Sequence, residues 1–251
     1  MTTLRTDRPP ARPESRPQTP PRLDSGDRMD SDTFMAIYER MPEGFRAQLV
    51  EGVVLVASPM TDDHGGPNTH VSFLLGYYEA RTPGVLPRAA TTIRLGPKNN
   101  PEPDASLRLP PECGGQARVE DHYIVGAPEL VVEVSYSSRA VDLHDKRRAY
   151  EEAGVREYVV VDLAGARVHW LALRDGRFED VAPGEDGLHR SEVFPGLWLD
   201  PQALVAGDAA RLLAVAEQGT ASPEHAAFVA RLAEARRGAG ATPSVASPPA
   251  P

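Results

Sequence analysis

The segment Pro128-Glu129-Leu130-Val131-Val132-Glu133-Val134-Ser135 limits what this chain can fold into more than any other. Leu130, Val131, Val132 and Val134 run together without the polar alternation of a half-solvated strand, which predicts a strand covered on both faces. Glu133 interrupts that run. An ionised carboxylate in such a place costs on the order of several kcal/mol unless it is paired, protonated or bound to a metal ion. On a regular strand Leu130, Val132 and Val134 share one face, and Val131, Glu133 and Ser135 share the other. Glu133 therefore stands beside a buried valine, near the carboxyl end of its strand, where open α/β sheets place their ligands. The alternative is a fold-stabilising ion pair between a buried Glu133 and an arginine.

The rest of the chain predicts the elements around that strand. Residues 1–28 carry six prolines among arginines, and residues 238–251 (GAGATPSVASPPAP) are similar, so both are expected to be disordered tails. Between them a folded domain is expected over 29–216, followed by a C-terminal helix over 217–237 that opens at Ser222-Pro223. A short helix is expected from Asp32 to Arg40, and a strand pair or bulge over 45–58 around Gly52. Residues 59–68 (PMTDDHGGPN) read as loop, and Val71, Leu74, Leu75 and Tyr78 then mark the buried stripe of a helix. Strand candidates follow at 88–95, 104–109 and 122–125, then a helix over 139–153 stopped at Gly154. Residues 157–181 predict two or three strands, FPGLWLD (194–200) closes the domain, and 201–216 predicts one short helix. The expected class is α/β, a mixed central sheet flanked by helices.

Three side chains stand out as a possible chemical group. Leu143, Lys146, Tyr150 and Ala153, spaced 3, 4 and 3, share one helical stripe that faces inward. Lys146 either snorkels to water or reaches towards Glu133, and each would answer the other's charge problem. Asp142, one turn earlier, either orients Lys146 or forms an ordinary surface pair. Asp104 follows the turn PKNNPEP and is either a turn residue or a second carboxylate beside Glu133. Two adjacent carboxylates stay ionised only with help, and Mg²⁺ is typically held by one or two carboxylates plus waters and phosphate oxygens.

Pro103-Asp104, Glu133-Val134-Ser135 and Lys146, in that order, resemble the PD-(D/E)XK nuclease superfamily. QLVEG (48–52), PELVVEV (128–134), DLHDK (142–146), GVREYVVVD (154–162) and FPGLWLD resemble the bacterial Uma-type restriction endonuclease family, over about residues 45 to 205. The resemblance implies a restriction endonuclease-like core and a metal-dependent endonuclease acting on DNA. It implies Asp104 and Glu133 as ligands of Mg²⁺ or Mn²⁺, helped by a main-chain carbonyl near Val134, and Lys146 at the water or the phosphate. Two positions depart from the pattern. Ser135 stands where the superfamily usually has its lysine, so Lys146 takes over from the helix. Gln48 stands where many members have Glu, and Glu51, three residues on, points to the opposite face unless a bulge intervenes. Gln48, Glu51, Asp142 and His64 are the accessory candidates, and Arg139, Arg147 and Arg148 are candidates for phosphate contact.

Other features set bounds. The formal net charge of −9 counts against tight sequence-independent nucleic-acid binding. One cysteine, Cys113, excludes an internal disulfide and a multi-cysteine zinc cage. With no secretory h-region and no apolar run near the roughly 20 residues of a membrane span, a cytoplasmic protein without membrane contact is expected. His64 and His70 lack zinc spacing and read as loop or helix-start residues, or as phosphate contacts; a zinc hydrolase built on them is the third function. The second is a catalytically inactive nuclease-fold module that binds nucleic acid or a protein partner. A homodimer is expected only by analogy with nucleases that cut both strands.

Overall fold

The computed structural model describes residues 22–58, 62–136 and 138–240. Its strands are β1 (Ala47–Val50), β2 (Val53–Val56), β3 (Leu86–Ala89), β4 (Ile93–Arg94), β5 (Ala105–Arg108), β6 (Arg118–Glu120), β7 (Tyr123–Val125), β8 (Leu130–Ser135), β9 (Glu157–Asp162), β10 (Arg167–Arg174), β11 (Arg177–Asp180), β12 (His189–Arg190) and β13 (Trp198–Leu199). The helices are α1 (Ser31–Tyr38), α2 (Asp62–Arg81), α3 (Arg147–Ala153), α4 (Pro201–Ala206), α5 (Ala209–Thr220) and α6 (Pro223–Gly240).

The apolar run becomes β8, inside a six-stranded sheet of order β11-β10-β9-β8-β5-β3. All six β8 residues are buried, as a strand covered on both faces requires. β8 pairs parallel with β9, and every other neighbour in the sheet is antiparallel. Leu130, Val132 and Val134 pack with Val159, Val161 and the buried stripe of α2, joined by Leu204, Leu212, Phe228 and Leu232 of the last three helices. Val131 packs on the opposite face with Tyr158, Val160 and Tyr150. Parallel strands need a crossover, and here it is the helix that carries Lys146 and Tyr150 across that second face.

Several local readings change. The 45–58 segment is a hairpin with a two-residue turn at Glu51-Gly52, both at positive φ (53° and 74°), and contains no bulge. α1 starts one residue before Asp32, because the Asp30 carboxylate caps Thr33 N–H at 2.8 Å, and ends at Tyr38. α2 begins at Asp62, so most of the expected loop is helix; residues 59–61 lie outside the described residues. Gly65, Gly66 and Pro67 read as breakers, yet Pro67 sits in the second turn and removes a single helical bond. The 88–95 segment divides between β3 and β4, in separate sheets. The helix after β8 has a wide π turn over Val141–Lys146 before α3, which ends at Gly154 with φ 85°. The single helix expected over 201–216 is two: Gly207 ends α4 at φ 72°, and the Asp208 carboxylate caps α5 at Arg211 N–H. Residues 217–220 belong to α5, and α6 starts at Pro223 with Ser222 Oγ accepting from His225 N–H.

Candidate active site

Five parts of the chain, β1, α2, the entry to β5, β8 and the π turn, bring side chains to one cleft of about 550 Å³, lined by Gln48, His64, Asp104, Glu133, Asp142 and Lys146 among others. The register Ala105↔Val132 between β5 and β8 leaves Asp104 beside Glu133 at the sheet end. The main chain fixes it there, since Val134 N–H donates to Asp104 Oδ2 at 2.8 Å. Its Oδ1 lies 3.1 Å from His64 Nε2 and accepts from Asn68 Nδ2 at 3.4 Å. Glu133 is 2% exposed. Lys146 Nζ lies 2.9 Å from its Oε1, and the Tyr150 hydroxyl donates to the same oxygen at 2.8 Å. Among the described residues no donor reaches Oε2. The buried partner of Glu133 is thus a lysine from the helix, in place of the arginine of a purely structural pair.

Lys146 is buried and does not snorkel. Its second neighbour is Asp142 Oδ1, at 3.3 Å and without hydrogen-bond alignment. Asp142 is itself buried, so it is not a surface pair; Ser138 Oγ donates to its other oxygen at 2.5 Å. The Tyr158 hydroxyl, 2.9 Å from the Asp142 carbonyl, ties the π turn to β9. Wide turns of this kind recur at functional sites.

The electrostatics follow from burial. Desolvation pushes the Glu133 carboxyl up to about 8; Lys146 opposes the rise, and Asp142 and Asp104 reinforce it. Desolvation alone would lower Lys146, but Glu133 and Asp142 outweigh it and hold the ammonium above its ordinary range. Both donors to Glu133, Lys146 Nζ and the Tyr150 hydroxyl, point at Oε1. The hydrogen bond to Asp104 raises the His64 imidazole, against its burial.

The accessory candidates separate. Gln48 lines the cleft, and its Oε1 accepts from Glu102 N–H at 3.3 Å. Glu51 does not line it: at the hairpin tip it bonds Asn99 and lies 4.0 Å from Arg148. His64 does, from the first turn of α2. His70 lies elsewhere, its ring against Gly207, so the two imidazoles do not converge. Of the phosphate candidates, Arg139 bonds the buried Asp162 at 2.8 Å, Arg147 bonds the Phe178 carbonyl, and Arg148 lies near Asp145; none lines the cleft. Sequence reasoning placed Tyr150 on the inward stripe without a role and missed Asn68 and Tyr158. The i+4 spacing of Tyr150 from Lys146 was the available signal for the first.

A hard divalent ion suits this donor set. Glu102, Asp104, Glu133 and Asp142 line the cleft against Arg46, His64 and Lys146. Among the described residues no three His, Cys, Asp or Glu side chains form a metal cage. Two carboxylates completed by water and substrate oxygens is the arrangement Mg²⁺ favours.

A mixed sheet with this crossover helix and an acidic cleft at the end of its central strands defines a restriction endonuclease-like nuclease fold. The same fold is found in the crystal structure described as "a putative nuclease belonging to DUF820 from Anabaena variabilis ATCC 29413". The two align with a TM-score of 0.51 at 13% identity, over 68% of this chain and 98% of that one. No curated protein matches the sequence. The family model Uma2, described as "Putative restriction endonuclease", matches residues 33–202, and the chain belongs to that family.

Proposed function

We propose that this chain is a metal-dependent endonuclease that hydrolyses phosphodiester bonds of DNA in the cytoplasm. The observation that carries the reading is the meeting of Asp104, just before β5, Glu133 of β8 and Lys146 of the crossover helix in one cleft. Asp104 and Glu133 would hold Mg²⁺ or Mn²⁺, which supplies Lewis-acid polarisation of the scissile phosphate. Tyr150 and Lys146 orient Glu133 through Oε1, leaving Oε2 to serve as a ligand. Val134 N–H fixes Asp104 through Oδ2, and an ion at Oδ1 would take the place of the His64 and Asn68 contacts there. Lys146 stays charged near neutral pH, so it works as a fixed cation and donor where negative charge develops, and does not act as a base. A homodimer would let two such clefts cut both strands.

The test is cleavage of supercoiled, linear and single-stranded DNA with Mg²⁺ or Mn²⁺. Activity should disappear in Glu133→Ala and Asp104→Ala and persist in His122→Ala, an exposed residue outside the cleft. Folded wild-type protein that cuts no form of DNA would overturn the reading. Gln48, an amide inside the cleft where many family members carry a carboxylate, favours a second reading, a binding or regulatory module without catalysis. Such a module would hold its nucleic-acid or protein partner equally well after Glu133→Gln.

A further inference from the structure

We propose that the cleft takes an unpaired nucleotide, with its base stacked on Tyr136, so that the substrate is single-stranded, flapped or locally opened nucleic acid. The inference rests on the nuclease reading and specifies its substrate class. Tyr136 follows β8 directly, lines the cleft with the carboxylates, and is 52% exposed, one of the few large apolar side chains so open among the described residues. Leu55 and Val56 of β2 line the same cleft, giving it an apolar portion beside the acidic one.

The cations of the cleft are already committed. Arg46 pairs with Glu102, His64 with Asp104, and Lys146 with Glu133 and Asp142. The arginines nearest in sequence, Arg139, Arg147 and Arg148, do not line the cleft, and the whole chain is acidic. Proteins that grip duplex DNA without sequence readout do so through phosphate-neutralising Lys and Arg. Here that contribution is small, and affinity has to come from the bases. In a duplex their faces are covered by stacking, whereas an unpaired base offers its π-face to a tyrosine whatever its identity. A cleft of about 550 Å³ is of the size that encloses a small ligand, which fits one extruded nucleotide better than a double helix.

The test is equilibrium binding of a short labelled DNA strand and of the same strand as a blunt duplex, with Ca²⁺ in place of Mg²⁺. The strand should bind at least about tenfold more tightly than the duplex, with a log–log salt slope below about two in magnitude. Tyr136→Ala should weaken strand binding by roughly 5- to 150-fold, leave duplex binding unchanged and keep the thermal midpoint. Tyr136→Phe should restore strand binding to within about twofold, because the ring supplies the stacking. A 2-aminopurine in the strand should be quenched by wild type and not by Tyr136→Ala. Duplex binding as tight as strand binding, or wild-type affinity in Tyr136→Ala, overturns the inference. If the duplex is also cut normally by that variant, the nuclease reading survives; if neither form binds, both fail.

Discussion

Glu133→Gln offers the sharpest test of the physical account of the cleft. In the folded protein burial raises this carboxyl from 4.5 to about 8, while in the unfolded chain it titrates at its ordinary value. Between those limits the folded state binds more protons, so stability falls as pH rises and the loss is complete above about pH 8. At about 1.4 kcal/mol per pH unit, the full loss is on the order of 3–5 kcal/mol. Gln keeps an acceptor oxygen for Tyr150 and Lys146 but does not titrate. Glu157, pushed up to about 7 by burial, loses stability over much of the same range, but both proteins contain it and it cancels in the difference. Urea unfolding of wild type and variant in EDTA, from about pH 5 to 9, reads the difference directly. The variant should gain on wild type by on the order of 3–5 kcal/mol across that range. Parallel curves would refute the reasoning, because they would mean Glu133 ionises in the folded state as it does in water.

Other outcomes follow from the same geometry. Mn²⁺ binding near pH 7 should release about one proton per ion, falling towards zero above about pH 8, as read by calorimetry in buffers of different ionisation enthalpy. Release of none would mean that the ion does not displace the Glu133 proton. Tyr150→Phe deletes the buried donor to Glu133 Oε1 and should destabilise the fold by about 1–3 kcal/mol in urea unfolding. Gly219→Ala would set a Cβ 2.3 Å from the Gly196 carbonyl oxygen and 2.9 Å from Trp198 Cγ, and should destabilise by about 1–3 kcal/mol. Gly76→Ala, on the exposed side of α2 with nothing within 4 Å, should raise the thermal midpoint through about 1 kcal/mol of helix propensity.

How much of this could be read in the sequence depended on how local each cause was. The two-faced burial of β8 and the inward stripe of Lys146 and Tyr150 are periodicities, and the folded chain keeps both. Gly207-Asp208 also carries a local signal, a helix stop followed by a cap, which the one-helix reading of 201–216 passed over. The start of α2 was hidden, because Gly65-Gly66-Pro67 carries every mark of a loop. Its first turns are tethered from outside, by His64 and Asn68 to Asp104, about 40 residues away in sequence. No pattern of apolar residues encodes such a contact. Glu51 points away from the cleft as a regular strand requires, and the Glu51-Gly52 turn puts it at the hairpin tip without the bulge that would have redirected it.

A lysine at position 135 would meet surroundings quite different from those of Lys146. Ser135 lies two residues beyond Glu133 on the same face, fully buried, and its register partner is Asp162. Asp162 already receives Arg139 at 2.8 Å and Gly165 N–H, so its charge is answered. A lysine at 135 would enter a fully buried position beside a carboxylate that is already paired. Lys146 instead descends from the layer above, with Asp142 one turn earlier on the same inward face, and meets Glu133 from the helix side. The helix thus brings a carboxylate together with its ammonium, and Asp104, Glu133 and Asp142 outnumber the one buried ammonium. That surplus negative charge adds to burial in raising the Glu133 carboxyl. The positive charge of the cleft thus enters from the helix, and a divalent ion bound at Glu133 would compete with the carboxyl's proton, so its affinity should rise with pH.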